Sequence, residues 1–336
     1  MAEYKSIKGF NIQYLDSDPP NPILGQMWYN STSGTFKGSA AGTVVDATWA
    51  SGGDLNTVRD QPLGRAGTQT AALVATGNEG PSGNTVNTEL YNGSSWTEVN
   101  NVNLARRDGG GAGATNTAAL IFGGYGTPGA RYAQTESWNG TSWTELNDLN
   151  TGRNSVGGAG TQTSALFFGG YEAPSPTQFT GRTESWDGTS WTELNDMNTG
   201  RNSMGTFGYS NTAVIAAAGS TTTPTTAVEN WNGTSWTEIA ELNTQRTSPG
   251  GSGQSTDGLI YGGYDPALTV YSGKTESWNG TAWTELNDLA TARGSGAGAL
   301  GGTSSTTLFA AGSSPTTAAT EEWTTPPIAT KTFTAS

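Results

Sequence analysis

Short apolar runs recur along this chain at nearly constant intervals, each followed by a polar stretch and then by a pair of aromatic residues. The runs end in small residues: Leu73–Gly77, Leu120–Gly124, Leu166–Gly170, Val214–Gly219, Leu259–Gly263 and Leu308–Gly312. A run this short, apolar and bounded by glycine predicts a strand buried on both faces. Ahead of such a run lies a segment almost without side chains, as in Val156-Gly-Gly-Ala-Gly. That composition predicts a strand against a crowded axis, where backbones approach closely. Beyond the run, the paired aromatics flank Asn-Gly or Asp-Gly, as in Trp138-Asn-Gly-Thr-Ser-Trp143. The dipeptide tolerates positive φ at both central turn positions and predicts a tight hairpin between Thr135–Trp138 and Ser142–Leu146. Helical periodicity is found nowhere. Each unit therefore predicts four short strands in one small antiparallel sheet.

The repeat is almost literal. Thr135–Arg153 (TESWNGTSWTELNDLNTGR) returns at Thr183–Arg201 and Thr275–Arg293, with looser copies at Val228–Arg246 and Glu89–Arg106. Trp49, Trp96, Trp143, Trp191, Trp236 and Trp283 are spaced 47, 47, 48, 45 and 47 residues apart. Ten residues after each stands an arginine: Arg59, Arg106, Arg153, Arg201, Arg246 and Arg293. Two residues before the first aromatic of each pair stands a glutamate: Glu89, Glu136, Glu184, Glu229, Glu276 and Glu321. Each marker counts six units. Small sheets cannot bury their own faces, and radial repetition solves this by packing each on the next. Each aromatic removes roughly 150–250 Å² from water, so the contacts between units are expected to carry most of the core.

The sixth unit begins at Arg293 and lacks its second tryptophan, while Trp49 and Arg59 stand in register with no strands before them. The economical reading makes Val44–Ala50 the outer strand of the sixth sheet, which joins the chain ends and removes an exposed edge. The order of arginine, small-residue strand, apolar strand ending Gly-Gly, aromatic strand and Trp-Thr-Glu-Leu resembles the kelch repeat over about residues 43–325. Gly-Gly is intact at Gly123-Gly124, Gly169-Gly170 and Gly262-Gly263, and becomes Thr76-Gly77, Ala218-Gly219 and Ala311-Gly312 elsewhere. The resemblance implies an all-β, six-bladed kelch-like β-propeller with four-stranded antiparallel blades. Its blades would span about 59–105, 106–152, 153–200, 201–245, 246–292, and 293–325 completed by 43–58. A head (1–42) and a tail (326–336) remain. The tail reads as a final strand beside the head or as a loose end.

Within the head, Asp16–Pro22 is turn-rich, and Gln26–Lys37 reads as a hairpin whose aromatic arms carry Trp28, Tyr29 and Phe36 around a Ser/Gly turn. The head resembles short attachment modules at the start of virion proteins of tailed phages, marine ones especially, and such proteins often continue into kelch-like repeats. That resemblance implies a phage structural protein: a tail-fibre, tail-tip or capsid-surface component, made in the host cytoplasm and carried on the virion. It would dock on other virion proteins through residues 1–42, as a homo-oligomer or multi-copy assembly. The alternative for the head is a cap on the propeller rim.

Composition narrows the chemistry. The chain has 336 residues, no cysteine and no histidine, which excludes disulfides, thiolate metal sites and a Ser-His-Asp triad. Some kelch propellers are copper oxidases built on histidine and a cysteine-modified tyrosine, and that implication fails for want of both residues. Net charge is −13, which argues against nucleic acid. Apolar stretches stay under 18 residues, so no membrane insertion is expected, and the first residues form no signal-peptide core. Asn92, Asn139, Asn232 and Asn279 match a glycosylation acceptor but are explained by the hairpin turns. Asp148, Asp196 and Asp288, one per unit, do not converge as calcium ligands. No metal, cofactor or catalytic residue is expected, and a glycosidase would need facing carboxylates that no spacing shows.

Two sets of candidates remain. From the last glycine of the apolar strand to the next glutamate, the connections span 12, 12, 14, 10, 13 and 9 residues. Variable loops on a constant scaffold are where recognition sits. Three carry aromatics with polar neighbours: Tyr125, Arg131 and Tyr132; Tyr171, Phe179 and Arg182; Tyr264, Asp265 and Tyr271. Such groups suit a host-surface glycan, as in a lectin-like adhesin, or a protein; otherwise they pack on neighbouring loops. The six repeat arginines either line a basic channel entrance or pair with repeat glutamates such as Glu136 or Glu145. Pairing is the expectation, since the planar fork favours it.

Overall fold

Glycine-rich and apolar segments pair along the chain as the alternation predicts, one antiparallel sheet per repeat. The computed structural model describes residues 12–19, 26–40, 47–172, 179–313, 315–325 and 329–333. Two units can be distinguished, Thr48–Thr324, and Met1–Ala47 with Thr325–Ser336. Among the described residues the first holds six four-stranded sheets, numbered I to VI below. Sheet I pairs Gly64–Thr68, Ala71–Ala75, Thr88–Tyr91 and Trp96–Val99. Sheet II pairs Gly110–Thr115, Ala118–Phe122, Thr135–Trp138 and Trp143–Leu146. Sheets III, IV and V follow from Gly157, Gly205 and Gly250 in the same order. Sheet VI takes Ala297–Gly298, Thr306–Ala310 and Thr320–Thr324 from the end of the chain and Thr48–Ser51 from its start.

The fold is all-β and β-propeller-like. Second strands are buried over four of five residues in every sheet. Outer strands bury their tryptophan and expose the Thr-Glu that follows. The core lies between sheets. One cluster joins Leu63, Leu73 and Val102 to Ile121, Trp138 and Trp143 of sheet II. Similar clusters join II to III, III to IV and IV to V, and another joins Val74, Tyr91 and Trp96 of sheet I to Leu308 and Ala310 of sheet VI. Glycine lets the inner strands meet: a Cβ on Gly158 would stand 2.8 Å from the Gly111 nitrogen.

Outer-strand indoles tie each sheet to the one before it. Trp143, Trp191 and Trp236 donate Nε1–H to the hydroxyls of Thr88, Thr135 and Thr183 at 3.0, 2.9 and 2.9 Å. Trp49 of sheet VI donates to Thr275 at 2.9 Å, and Trp96 of sheet I donates to Thr320 at 3.0 Å. Trp283 departs from the pattern, donating to the Ala240 carbonyl at 2.9 Å, because Val228 stands where the other sheets carry threonine.

The closing strand was expected at Val44–Ala50. Thr48–Ser51 is the observed strand, paired so that Trp49 faces Trp323, and Val44–Asp46 lie outside the described residues. The aromatic hairpins differ from the expected tight turn. Trp138 pairs with Trp143, leaving a four-residue loop in which Gly140 takes φ +91°, while Asn139 is absent from the positive-φ residues. Instead, Asn139 Oδ1 accepts the N–H groups of Thr141 and Ser142, both at 2.9 Å. The side chain organises the turn, which frees the backbone from the mirror-image geometry a two-residue loop demands. Asp187 does the same work, and the N–H groups of Ser190 and Thr189 hold its carboxyl below the ordinary range.

In the other unit, Met27–Asn30 pairs with Thr35–Ala40, Tyr29 opposite Phe36. Gln13–Leu15 adds a parallel strand, and Ala329–Phe333 of the expected tail pairs with Thr35–Ala40. Pro20–Pro22 of the expected turn lie outside the described residues. Asp18 clamps the hairpin: Trp28 Nε1, Asn30 Nδ2 and Lys37 Nζ donate to its carboxylate at 3.0, 2.7 and 2.6 Å. These bonds, that of Lys37 foremost, pull its pKa from 3.8 down to about 2.

Two outcomes are expected. Trp49→Ala removes a side chain that packs on Tyr261 and Trp323 with centroids 4.9 and 5.4 Å away, and should lower the unfolding free energy in urea by roughly 3–5 kcal/mol. A depressed carboxyl stabilises the folded state above its unfolded pKa and loses that contribution as pH falls through the folded one. The Trp28 indole N–H resonance should therefore hold steady above pH 3.8 and shift with a midpoint near about 2, and Asp18→Asn should abolish the titration.

Candidate functional site

Each repeat arginine begins a short segment that builds one end of the repeat unit. The inner strands start four or five residues after the arginines at which the blades were expected to begin: Gly64 follows Arg59 and Gly110 follows Arg106. The arginines lie ahead of the inner strands, Arg153 in the two-residue strand Arg153–Asn154, and are buried, between 0 and 1% exposed. Arg106 Nη2 pairs with Glu136 Oε1 at 3.2 Å and its Nη1 donates to the Gln134 carbonyl at 2.9 Å. Arg59 pairs with Glu89 at 2.5 Å and Arg153 with Glu184 at 2.8 Å; Arg201, Arg246 and Arg293 pair with Glu229, Glu276 and Glu321. The second carboxylate oxygen is also occupied: Asn103 donates both its backbone N–H and its Nδ2 to Glu136 Oε2 at 2.8 Å, and Asn56, Asn150, Asn198 and Asn243 repeat the arrangement. Burial lowers the pKa of Arg106, and the Glu136 charge opposes that shift. Guanidiniums held this way do not line a channel entrance.

The residue after the arginine bridges to the variable loop of its own sheet. Asp60 pairs with Asn78, Arg107 with Tyr125, Asn154 with Tyr171, Asn202 with Ser220, Thr247 with Tyr264 and Gly294 with Ser313. All six loops are thereby tied to the segments that enter the inner strands. The next residue, two after the arginine, has φ between 52° and 62° in every repeat: Gln61, Asp108, Ser155, Ser203, Ser248 and Ser295. Their backbones form a closed cycle of hydrogen bonds. Gln61 N–H donates to Ser295, Ser295 to Ser248, Ser248 to Ser203, Ser203 to Ser155, Ser155 to Asp108 and Asp108 to Gln61, at 2.7–2.9 Å.

Inside this cycle lies a cavity of about 50 Å³, lined by the six cycle residues, Arg65 and the flanking Pro62, Gly109, Val156, Met204, Pro249 and Gly296. The far ends of the inner strands are crossed by residues 299–302. Gly301 N–H donates to the Gly67 carbonyl at 2.8 Å, and Tyr209 Oη donates to the Gly302 carbonyl. Burial raises the Asp108 carboxyl above its ordinary range, opposed by bonds from Ser155 Oγ and Asn154 Nδ2.

The loop candidates other than Asp265 are partly exposed, and they pack within their loops or on the segments around the repeat arginines. The Arg107 guanidinium lies over the Tyr125 ring, 5.3 Å from its centroid, and Arg131 Nε donates to Asn154 Oδ1 at 3.0 Å. Tyr132 covers Gly126. Tyr171 meets Phe179 at 5.1 Å, and Tyr264 meets Tyr271 at 5.3 Å. Arg182 pairs with Glu172 at 3.3 Å. Asp265 is buried, its Oδ1 accepting the N–H groups of Ala267 and Leu268, so it shapes the loop tip and does not face a ligand. Sequence reasoning passed over that tip, where Leu268 is 67% and Val270 49% exposed. In the head, Trp28 is fully buried and serves as core, whereas Tyr29 and Phe36 remain partly exposed. Tyr14, also passed over, is 75% exposed with its ring 5.4 Å from that of Tyr29.

The cycle residues were missed because their types vary. Their common signal is position, two residues after each repeat arginine.

Removing one partner of a buried ion pair strands the other. Glu136→Gln should destabilise the protein by roughly 3–5 kcal/mol, and the double replacement Arg106→Met with Glu136→Leu should cost less than Glu136→Gln alone; chemical denaturation of both variants measures this.

No protein-family model matches the chain, and no curated protein matches it either.

Proposed function

We propose that the repeat unit is a closed six-bladed propeller of the kelch type, and that the protein is a non-enzymatic structural component of a phage virion that presents its variable loops to a partner. Two features support closure. The backbone cycle through Gln61 and Ser295 returns on itself, and the indole bonds of Trp49 and Trp96 treat sheets V, VI and I like any other neighbours. The kelch assignment rests on the order of arginine, glycine-rich strand, apolar strand and paired aromatics.

The observation that carries the functional reading is the division of labour around the six bridges. The sheets repeat their buried contacts almost identically, while the tethered loops differ in length and hold partly exposed aromatic pairs with Leu268 and Val270 at a tip. Aromatic and aliphatic groups raised on a rigid base suit recognition of a protein or a glycan surface. The virion assignment rests on the resemblance of residues 1–42 to phage attachment modules, with the exposed Tyr14 and the partly exposed Tyr29 and Phe36 as contacts. A lectin-like adhesin is the second reading, favoured by the Tyr171–Phe179 and Tyr264–Tyr271 pairs, whose open ring surfaces suit sugar faces.

Cryo-electron imaging of assembled particles should find the protein on the virion; a protein recovered only free in host cytoplasm overturns the structural role. On a glycan array and on host-cell surfaces, the combined Tyr125→Ala, Tyr171→Ala and Tyr264→Ala variant should lose binding while keeping its melting temperature. Binding to host cells but to no glycan would select the protein-contact reading.

A further inference from the structure

The inner strands carry equivalent positions that face the neighbouring inner strand near the axis. Register identifies them as Arg65, Gly111, Gly158, Thr206, Gly251 and Gly298, opposite Val74, Ile121, Phe167, Ala216, Ile260 and Phe309. Four are glycine, one is a threonine that donates to the Gly158 carbonyl at 2.8 Å, and one is arginine. Arg65 breaks the pattern with a full positive charge. Its side chain lines the axial cavity, and its Nε is buried without an acceptor.

The other nine arginines all have partners. Six hold repeat glutamates, Arg107 donates to Asn78 and Asn84, Arg131 to Asn154, and Arg182 pairs with Glu172. Among the described residues Arg65 has no ion pair and no side-chain hydrogen bond. Ser203, Ser248 and Ser295 line the same cavity, and their hydroxyls likewise have no protein acceptor or donor among the described residues. A cavity of about 50 Å³ is several times the space of roughly 10–15 Å³ that one water needs. An unpaired guanidinium in such a space is costly unless a counter-charge joins it.

The geometry points to a small inorganic anion bound on the axis, held by the Arg65 guanidinium and by hydroxyls of Ser203, Ser248 and Ser295. Asp108 is the one opposing charge on the lining. Its Oδ2 accepts from Ser155 Oγ and Asn154 Nδ2, and Arg65 forms no ion pair with it. The ligands come from four of the six sheets, so the anion would join segments that the backbone cycle already links. Residues 299–302 cross the far ends of the inner strands, and the cavity lies at the end that carries the loops. This inference is independent of what the loops recognise.

Two measurements test it. In crystals grown or soaked with sodium bromide, an anomalous peak is expected beside Arg65 within the cycle of residues; density fitted by water alone would overturn the proposal. In solution, the melting temperature of the whole protein should rise with chloride at constant ionic strength, gluconate serving as the balancing anion. Arg65→Gln should weaken that response roughly tenfold or more, as expected for losing charge-assisted bonds, and Arg65→Lys should keep part of it. Nitrate and phosphate in place of chloride rank the anions. An identical chloride response in wild type and Arg65→Gln would sink the idea, and should Arg65→Gln fail to fold, the bromide map of the wild type decides alone.

Discussion

The fold depends on one buried contact made six times: an arginine fork against a glutamate whose other oxygen is held by the chain arriving from the preceding sheet. Desolvating a guanidinium and a carboxylate costs several kcal/mol per ion, and the pair is tolerable only when every polar atom nearby is used. Here nearly all are. Arg106 also donates to the Gln134 carbonyl, and Asn103 supplies two donors to Glu136. The contact thus fixes the third strand of one sheet, the end of its variable loop and the connection from its neighbour. Its value lies in placement, since isosteric apolar groups would hold the same volume with less desolvation.

From that contact the rest follows in three steps along the chain. The arginine is locked to the sheet, the next residue binds the loop, and the one after turns with positive φ into the backbone cycle. Three consecutive residues therefore serve as core, loop anchor and lining. The arrangement explains why loop length can change from nine residues to fourteen without disturbing the sheets, because each loop is fastened at its base beside the buried pair. Indole-to-threonine bonds do the corresponding work at the outer edge, and the shift of Trp283 to a carbonyl where Val228 replaces threonine shows that the edge adapts locally.

Much of this was legible in the sequence. Periodicity located the strands, because apolar runs bounded by glycine have few alternatives once they recur in register. The placement of Trp49 against Trp323 followed from counting tryptophans. Turn chemistry was read less well. Asn-Gly suggested a two-residue hairpin, but the side chain of Asn139 bonds two backbone N–H groups and supports a longer loop. Burial of single residues was also hidden: Trp28 and Asp265 looked available because each sits in a polar, turn-rich stretch, and neither pattern reveals that the side chain turns inward. The cavity lining was illegible for a different reason. Glutamine, aspartate and serine are ordinary turn residues with different functional groups, so backbone geometry is what groups them, and Arg65 stood in a strand whose equivalents are nearly bare.

The pairing at the two chain ends has a mechanical consequence. Thr48 lies opposite Thr324 in sheet VI, and Ala40 lies opposite Ala329 in the other sheet, so each unit takes a strand from either side of the other in sequence and two stretches of chain join them. A force transmitted from one unit to the other is shared by two covalent tethers anchored in adjacent strands. Each unit is then loaded through two neighbouring strands at once, where a single tether would load only one.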